Sequence, residues 1–198
     1  PDEHKQLFRE VLIGVTEFFR DPKAFAALQA NAIPKLLANK GAADTVRVWV
    51  PGCATGEEAY SIAILLKEAM GRQDGEPKVQ IFATDIDDFA ISTARAGRYK
   101  SPLTGISPER RERWFTQSGD DWCVSRTIRE MCVFSPHSAI KDAPFSRMDL
   151  VSCRNLLIYL NQDLQESLMR TFHYALRPEG FLLLGPSESL GRNAKLFT

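Results

Sequence analysis

The sequence predicts an α/β fold, a mainly parallel sheet covered by helices, and three observations carry that reading. From Val46 to Arg95 short β-rich apolar runs alternate with helical patterns, the arrangement that builds parallel strands with crossover helices. The first strand runs straight into a small-residue loop and then a helix, Val50-Pro51-Gly52-Cys53-Ala54-Thr55-Gly56-Glu57-Glu58. The second strand ends on a carboxylate, Phe82-Ala83-Thr84-Asp85, and in open α/β sheets ligands gather at such carboxyl ends.

The elements follow in order. Leu7, Val11, Val15, Phe18 and Phe19 recur at helical spacing and predict a helix over about residues 5–20. Asp21 and Pro22 read as the N-cap and first residue of a second helix, which carries Phe25, Leu28, Leu36 and Leu37 inward and is kinked or divided at Pro34. Val46–Val50 is the first strand, 57 to about 70 a helix, 79–84 the second strand and 87–95 the next helix. Residues 97–135 read as a small irregular or β insertion: Ser107-Pro108-Glu109 opens a charged helix ending near Phe115, residues 118–121 turn, and 122–134 hold two short strands or a hairpin. Asp149–Cys153 is a further buried strand, Gln162–Leu176 a helix and Gly180–Leu184 a strand. The predicted organisation is thus 1–40 as linker helices packing on a domain over 41–198, with the insertion inside it.

Bulk properties exclude several functions. The 198 residues suit one domain with a sizeable core. With 25 basic against 25 acidic residues, no dedicated nucleic-acid binder or polybasic anchor is expected, and no apolar run reaches the roughly 20 residues of a membrane span, so no membrane insertion is expected. The four cysteines form no CxxC pair and no zinc-ligand spacing with the three histidines. Reduced thiols in the cytoplasm are expected, and no metal. The start lacks Met and has no signal peptide, which reads as a fragment of a longer protein. From Arg95 to Arg147 ten Lys/Arg face six Asp/Glu; this is either an ordinary solvated surface or a mildly basic face toward an acidic partner.

Three motifs carry chemistry. In the first loop Gly52, Ala54 and Gly56 let backbone approach a ligand, and the helix start points free N–H groups at it. Glu57 and Glu58 would repel a pyrophosphate and suit a cation, although acidic residues in a first turn also serve as simple dipole stabilisation. A nicotinamide dehydrogenase is disfavoured, because the loop is not GxGxxG. Asp85 is placed to accept ribose hydroxyls, while Asp87, or Asp85 itself, can cap the helix that follows. Arg154 and Asn155 fall at the end of the Asp149–Cys153 strand; an arginine there is seldom buried unpaired, and a structural salt bridge to Glu188 or another acid is the alternative to a role at the site.

Taken together, Thr16-Glu17-Phe18-Phe19-Arg20-Asp21, Thr55-Gly56-Glu57-Glu58-Ala59-Tyr60-Ser61-Ile62-Ala63, Ala83-Thr84-Asp85-Ile86-Asp87, Cys153-Arg154-Asn155-Leu156-Leu157-Ile158-Tyr159 and Leu176-Arg177-Pro178-Glu179-Gly180-Phe181 resemble the signatures of the CheR chemotaxis receptor methyltransferases, in the family's order and over about residues 10–190. The resemblance implies a Rossmann-like class I fold that binds S-adenosylmethionine and releases S-adenosylhomocysteine. It implies cofactor contacts from Thr16, Arg20, Gly52, Glu58, Asp85, Ser138, Ala139, Cys153 and Arg154, and catalytic roles for Arg20, Arg154 and Tyr159. The family's Asn-Leu adenosine contact aligns with Ser138-Ala139, a departure from the pattern.

The implied reaction is O-methylation of glutamate carboxylates on an acidic segment of a receptor or signalling protein. The alternative is a non-catalytic cofactor-binding sensory or docking domain. The Gly185-Pro186-Ser187-Glu188-Ser189-Leu190 segment looks most like such domains inside larger multidomain sensory proteins. Three departures accompany the likeness. The family's preceding helical domain is expected to be absent apart from the first helix of this chain. The stretch 119–132 lacks the glycine-bearing insertion of members that dock on a receptor's C-terminal pentapeptide, which argues against tethering of that kind. The chain stops before the last antiparallel strand expected of the fold.

Overall fold

A computed structural model describes residues 16–71 and 75–197. Its centre is a five-stranded sheet in the order β6-β2-β1-β7-β8, every neighbouring pair parallel. The strands are β1 (Thr45–Pro51), β2 (Lys78–Asp85), β6 (Cys132–Pro136), β7 (Met148–Cys153) and β8 (Leu176–Leu184). Strand periodicity explains the two faces. Val46, Val48 and Val50 point into one core with Ile81, Ala83 and Leu150, whereas Trp49, Val151 and Cys153 point into the other.

The first face is covered by α3 (Glu57–Met70) and α4 (Asp88–Ala96), together with α1 (Pro22–Ala27) and α2 (Ile33–Leu37). Helix α3 is buried almost throughout, from Glu57 to Leu66, because it is covered on one side by the sheet and on the other by the N-terminal helices and a small second sheet. The second face belongs to α7 (Gln162–Ala175), whose Leu168, Met169 and Phe172 meet Trp49, Met148 and Val151. Helices therefore lie on both faces, as the sequence predicts.

The small sheet, order β3-β5-β4, is antiparallel. It is formed by β3 (Arg98–Lys100), β4 (Phe115–Ser118) and β5 (Asp121–Val124), with α5 (Pro108–Trp114) between its first two strands in sequence. Of the two alternatives for residues 122–134, the structure has two short strands, β5 and β6, and not a hairpin. After β5 comes a single-turn helix, α6 (Arg126–Arg129), and β6 then joins the large sheet alongside β2. Asp21 and Pro22 open α1, and the division at Pro34 is real: Leu28–Ala32 is a wide π turn, closed by Ile33 N–H donating to Leu28 O. Proline cannot continue an α ladder through its own missing N–H and clashes with the preceding turn, so α2 starts afresh there.

Two boundaries differ from expectation. The predicted helix over 5–20 lies mostly outside the described residues, and from Thr16 to Arg20 the chain is non-helical, turning at Phe18–Phe19 with Phe19 at φ 52 and Asp21 at φ 58. Helix α7 ends at Ala175 and β8 begins at once at Leu176, with a bulge opposite Met148 to Leu150, whereas the sequence predicts a strand only from Gly180.

Candidate functional site

The residues singled out in the sequence converge on the carboxyl ends of β1, β2, β6 and β7. The loop 52–56 leaves β1 as a tight turn: Cys53 N–H donates to Thr84 O and Gly56 N–H to Cys53 O. Gly56 stands at φ 96, and a Cβ there would lie 2.9 Å from the Ala94 methyl and 3.0 Å from the Phe134 ring, so both backbone shape and space demand glycine. Gly52 lies half-buried against Leu156.

Asp85 braces this loop. Its Oδ2 accepts the Ala54 N–H at 2.8 Å and its Oδ1 the Asp87 N–H at 3.0 Å. A carboxylate has about four acceptor sites, so the half-buried group can still take two hydroxyls. Capping falls to Asp87, which accepts the Phe89 N–H.

The paired glutamates diverge. Glu57 turns back to the Thr55 hydroxyl, 2.7 Å away, and burial raises its carboxyl. Glu58 reaches the strand ends, where its Oε1 accepts from the Ser152 hydroxyl at 2.7 Å and its Oε2 from Arg154 Nη1 at 3.1 Å. Burial nevertheless pushes its carboxyl up to about 7, against the lowering effect of Arg154 and Ser152 and with help from Glu188. A desolvated carboxylate of this kind gains from an added cation.

Arg154 is the hub. Its side chain is fully buried. Besides Glu58, its Nη2 donates to the Arg20 carbonyl at 2.7 Å and to Asp21 Oδ2 at 2.6 Å, and the Phe25 ring lies 5.0 Å from the guanidinium carbon. Its Nε is buried with no hydrogen-bond partner among the described residues. The acids paired with Arg154 are therefore Glu58 and Asp21. Glu188 is used otherwise: its carboxylate accepts the N–H groups of Gly185, Asn155, Leu156 and Leu157 at 2.8–2.9 Å, clamping the turn that follows Arg154.

The remaining residues lie at the end of β7, on the segment before α1 and in the loops after β6 and β7. Cys153 ends β7 fully buried, its thiol pushed well up by burial and by the nearby Glu188 and Glu58 carboxylates. Thr16 and Arg20 lie half-buried on the N-terminal strap, and Tyr159 is 49% exposed in a short turn over Leu157–Tyr159. Ser138 and Ala139 follow β6, where the Ser138 hydroxyl already accepts the Lys141 N–H and its N–H donates to Asp142.

Sequence reasoning missed the partners. Residue type and local spacing give Asp21 only a capping role and Ser152 none, whereas the structure pairs both with the Arg154–Glu58 cluster. Much of the basic excess of residues 95–147 is spent internally. Arg110 pairs with Glu68 at 2.7 Å, Arg126 with Glu130 at 2.6 Å, and Arg111 and Arg113 lie over Trp122 and Trp114.

These groups could hold S-adenosylmethionine: Glu58, already paired with Arg154, has the charge to attract an ammonium, Arg154 Nε lacks an acceptor, and Asp85 has lone pairs to spare for ribose hydroxyls. All four cysteines are free thiols, and no helix among the described residues is long and apolar enough to cross a membrane.

Known proteins agree. The chain is 34% identical over 181 residues to chemotaxis protein methyltransferase 1 of Pseudomonas aeruginosa, covering 88% of this chain and 66% of that protein. It is 32% identical to the chemotaxis protein methyltransferase of Borreliella burgdorferi, covering 96% and 70%. It is also 46% identical to a 104.1 kDa protein from the hypE 3′ region of Rhodobacter capsulatus, covering 95% of this chain but only 20% of that one. In fold it resembles the glycopeptide N-methyltransferase MtfA complexed with sinefungin, with a TM-score of 0.52 at 12% identity over 85% of this chain and 54% of the other. The family model for the SAM-binding domain of CheR methyltransferases matches residues 14–198, and the chain belongs to that family.

Proposed function

We propose that this chain is the catalytic domain of a protein-glutamate O-methyltransferase, acting on an acidic segment of a receptor or signalling protein within a larger sensory polypeptide. The observation that carries the reading is that Asp85 at the end of β2 and Arg154 after β7 flank the end of β1, whose loop leads into the helix that carries Glu58 to Arg154. The Rhodobacter capsulatus relative, of which this chain matches one-fifth, supports the larger setting.

When bound, S-adenosylmethionine supplies a methyl group on a positively charged sulfur, and its transfer to a carboxylate forms a C–O bond, breaks the C–S bond and leaves the electron pair on sulfur. The chain's residues need only position and dry the reactants. An acceptor glutamate, with an ordinary pKa of about 4.3, is already ionised at pH 7 and needs no base. Asp85 would hold the ribose, Glu58 the ammonium and Arg154 Nε the carboxylate of the methionine end. Arg20 and Tyr159, which lie nearer the surface, would orient the acceptor. Opposite charges cancel as the bond forms, so the burial that raises Glu58 also favours transfer.

One observation favours a binding-only sensory domain instead: the Arg154 guanidinium is wholly buried behind Glu58, Asp21 and Phe25 and is not offered to an acceptor. The two readings part experimentally. Calorimetry should give one-to-one S-adenosylhomocysteine binding that Asp85→Ala weakens at least a hundredfold. Incubation with methyl-tritiated cofactor and the glutamate-rich cytoplasmic segment of a chemoreceptor should give base-labile methyl esters. Binding without esters on any acidic acceptor would favour the sensory reading.

A further inference from the structure

Aspartate at an N-cap ordinarily accepts an N–H from the first helical turn. Asp21 occupies that position in α1 but makes no such bond. Its backbone carbonyl accepts from Ala24 and Phe25, its backbone is held left-handed at φ 58 and ψ 73, and its carboxylate reaches Arg154 Nη2 at 2.6 Å. The conformation gives up the local bond and points the carboxylate across the pocket, to a residue 133 positions away in sequence.

Arg154 thus sits between two carboxylates, Asp21 and Glu58. Glu58 is the group placed for the ligand's ammonium, and a carboxylate that turns to a new cation shares less of its charge with the old one. A fully buried guanidinium left without a counter-ion is strongly destabilised. The carboxylate that can stay with it is Asp21, more than a third exposed in its side chain while Arg154 is wholly enclosed. With Nη2 fixed on Asp21 and the Arg20 carbonyl, Nε is the buried donor left without a partner among the described residues.

We propose that Asp21 is a positioning residue of the cofactor site, the counter-ion that keeps Arg154 in place for the methionine end of the ligand once Glu58 engages the ammonium. The inference rests on the pocket reading given above and deepens it. The methionine end is the discriminating part, so two probes separate the roles: S-adenosylhomocysteine, followed by calorimetry, and 5′-methylthioadenosine, which keeps the adenosine and thioether but lacks the amino-acid group, followed by an NMR titration that reads weak binding. Asp21→Asn and Asp21→Ser should each weaken S-adenosylhomocysteine tenfold or more while 5′-methylthioadenosine stays within twofold of the parent chain. Serine can still cap a helix, so its failure to preserve affinity separates the counter-ion role from capping. Equal weakening of both ligands, unchanged S-adenosylhomocysteine affinity, or full affinity in Asp21→Ser would each overturn the proposal. If the unaltered chain bound neither ligand, the pocket reading itself would fall and this inference with it.

Discussion

Glu58 is the residue whose environment most changes its ordinary chemistry. Burial holds its carboxyl near 7 although Arg154 and Ser152 donate to it. A ligand ammonium stabilises only the charged form, so binding below pH 7 must expel the proton that Glu58 carries. S-adenosylhomocysteine affinity should rise between pH 6 and 8, approaching tenfold per unit at the acid end. Titrations in buffers of different ionisation enthalpy should show close to one proton released at pH 6 and almost none at pH 8; a flat profile would remove Glu58 from the ammonium site. The same shift acts on stability with a definite sign. The folded value lies above the unfolded one, so the contribution is fully present below about 4.3 and is lost as pH rises through about 7. The ligand-free chain should lose this contribution over that window, and Glu58→Gln should not show the loss.

At the scale of elements, the loop 52–56 and α3 form a unit whose shape depends on Gly56. Gly56→Ala places a methyl against Ala94 and Phe134 at φ 96. Overpacking alone should cost about 1–3 kcal/mol, read by chemical denaturation, and the displaced loop should weaken S-adenosylhomocysteine in parallel. Undiminished binding in a destabilised variant would mean that the loop does not contact the ligand. This unit was legible from sequence because its signals are local: the alternation of Val46, Val48 and Val50, the small residues after Pro51, and the acid at the end of β2 all lie within a short stretch. β6 was not, because Cys132–Pro136 is short and its pairing with β2 is parallel and non-local, and nothing in five residues separates it from a hairpin strand. Asp21 and Glu188 failed for a related reason. Each was recognised as an acid with a local or nearby role, but a side chain's partner across more than a hundred residues, or a carboxylate's choice of four backbone N–H groups, follows from tertiary placement that residue type alone does not encode.

At the scale of the molecule, the N-terminal strap, the small sheet and the loop 52–56 are interlocked through one aromatic cluster. Phe18 meets Tyr99 of β3 and Phe115 of β4 edge-on, with ring centroids 4.9 and 5.2 Å apart. Its carbonyl lies so close to Gly105 that no Cβ would fit between them. The next residue's N–H, on Phe19, donates to the Ser61 hydroxyl of α3 at 3.0 Å. The Tyr99 hydroxyl donates to the Thr55 carbonyl at 2.7 Å, so the small sheet grips the loop 52–56 while its aromatic face grips the strap that carries Arg20 and Asp21. Truncating Phe18 should therefore act in two places. Phe18→Ala removes a buried ring and both edge contacts, a loss of about 3–5 kcal/mol, seen as a lower urea midpoint. A ligand that binds only the folded state adds stability by mass action, so the rise in midpoint at a fixed, saturating concentration of S-adenosylhomocysteine measures affinity within the same experiment. That rise should shrink in Phe18→Ala, because the strap no longer holds Asp21 against Arg154. A lower midpoint with an undiminished ligand-induced rise would show that the strap stabilises the fold without shaping the site, and would confine the site to the strand ends alone.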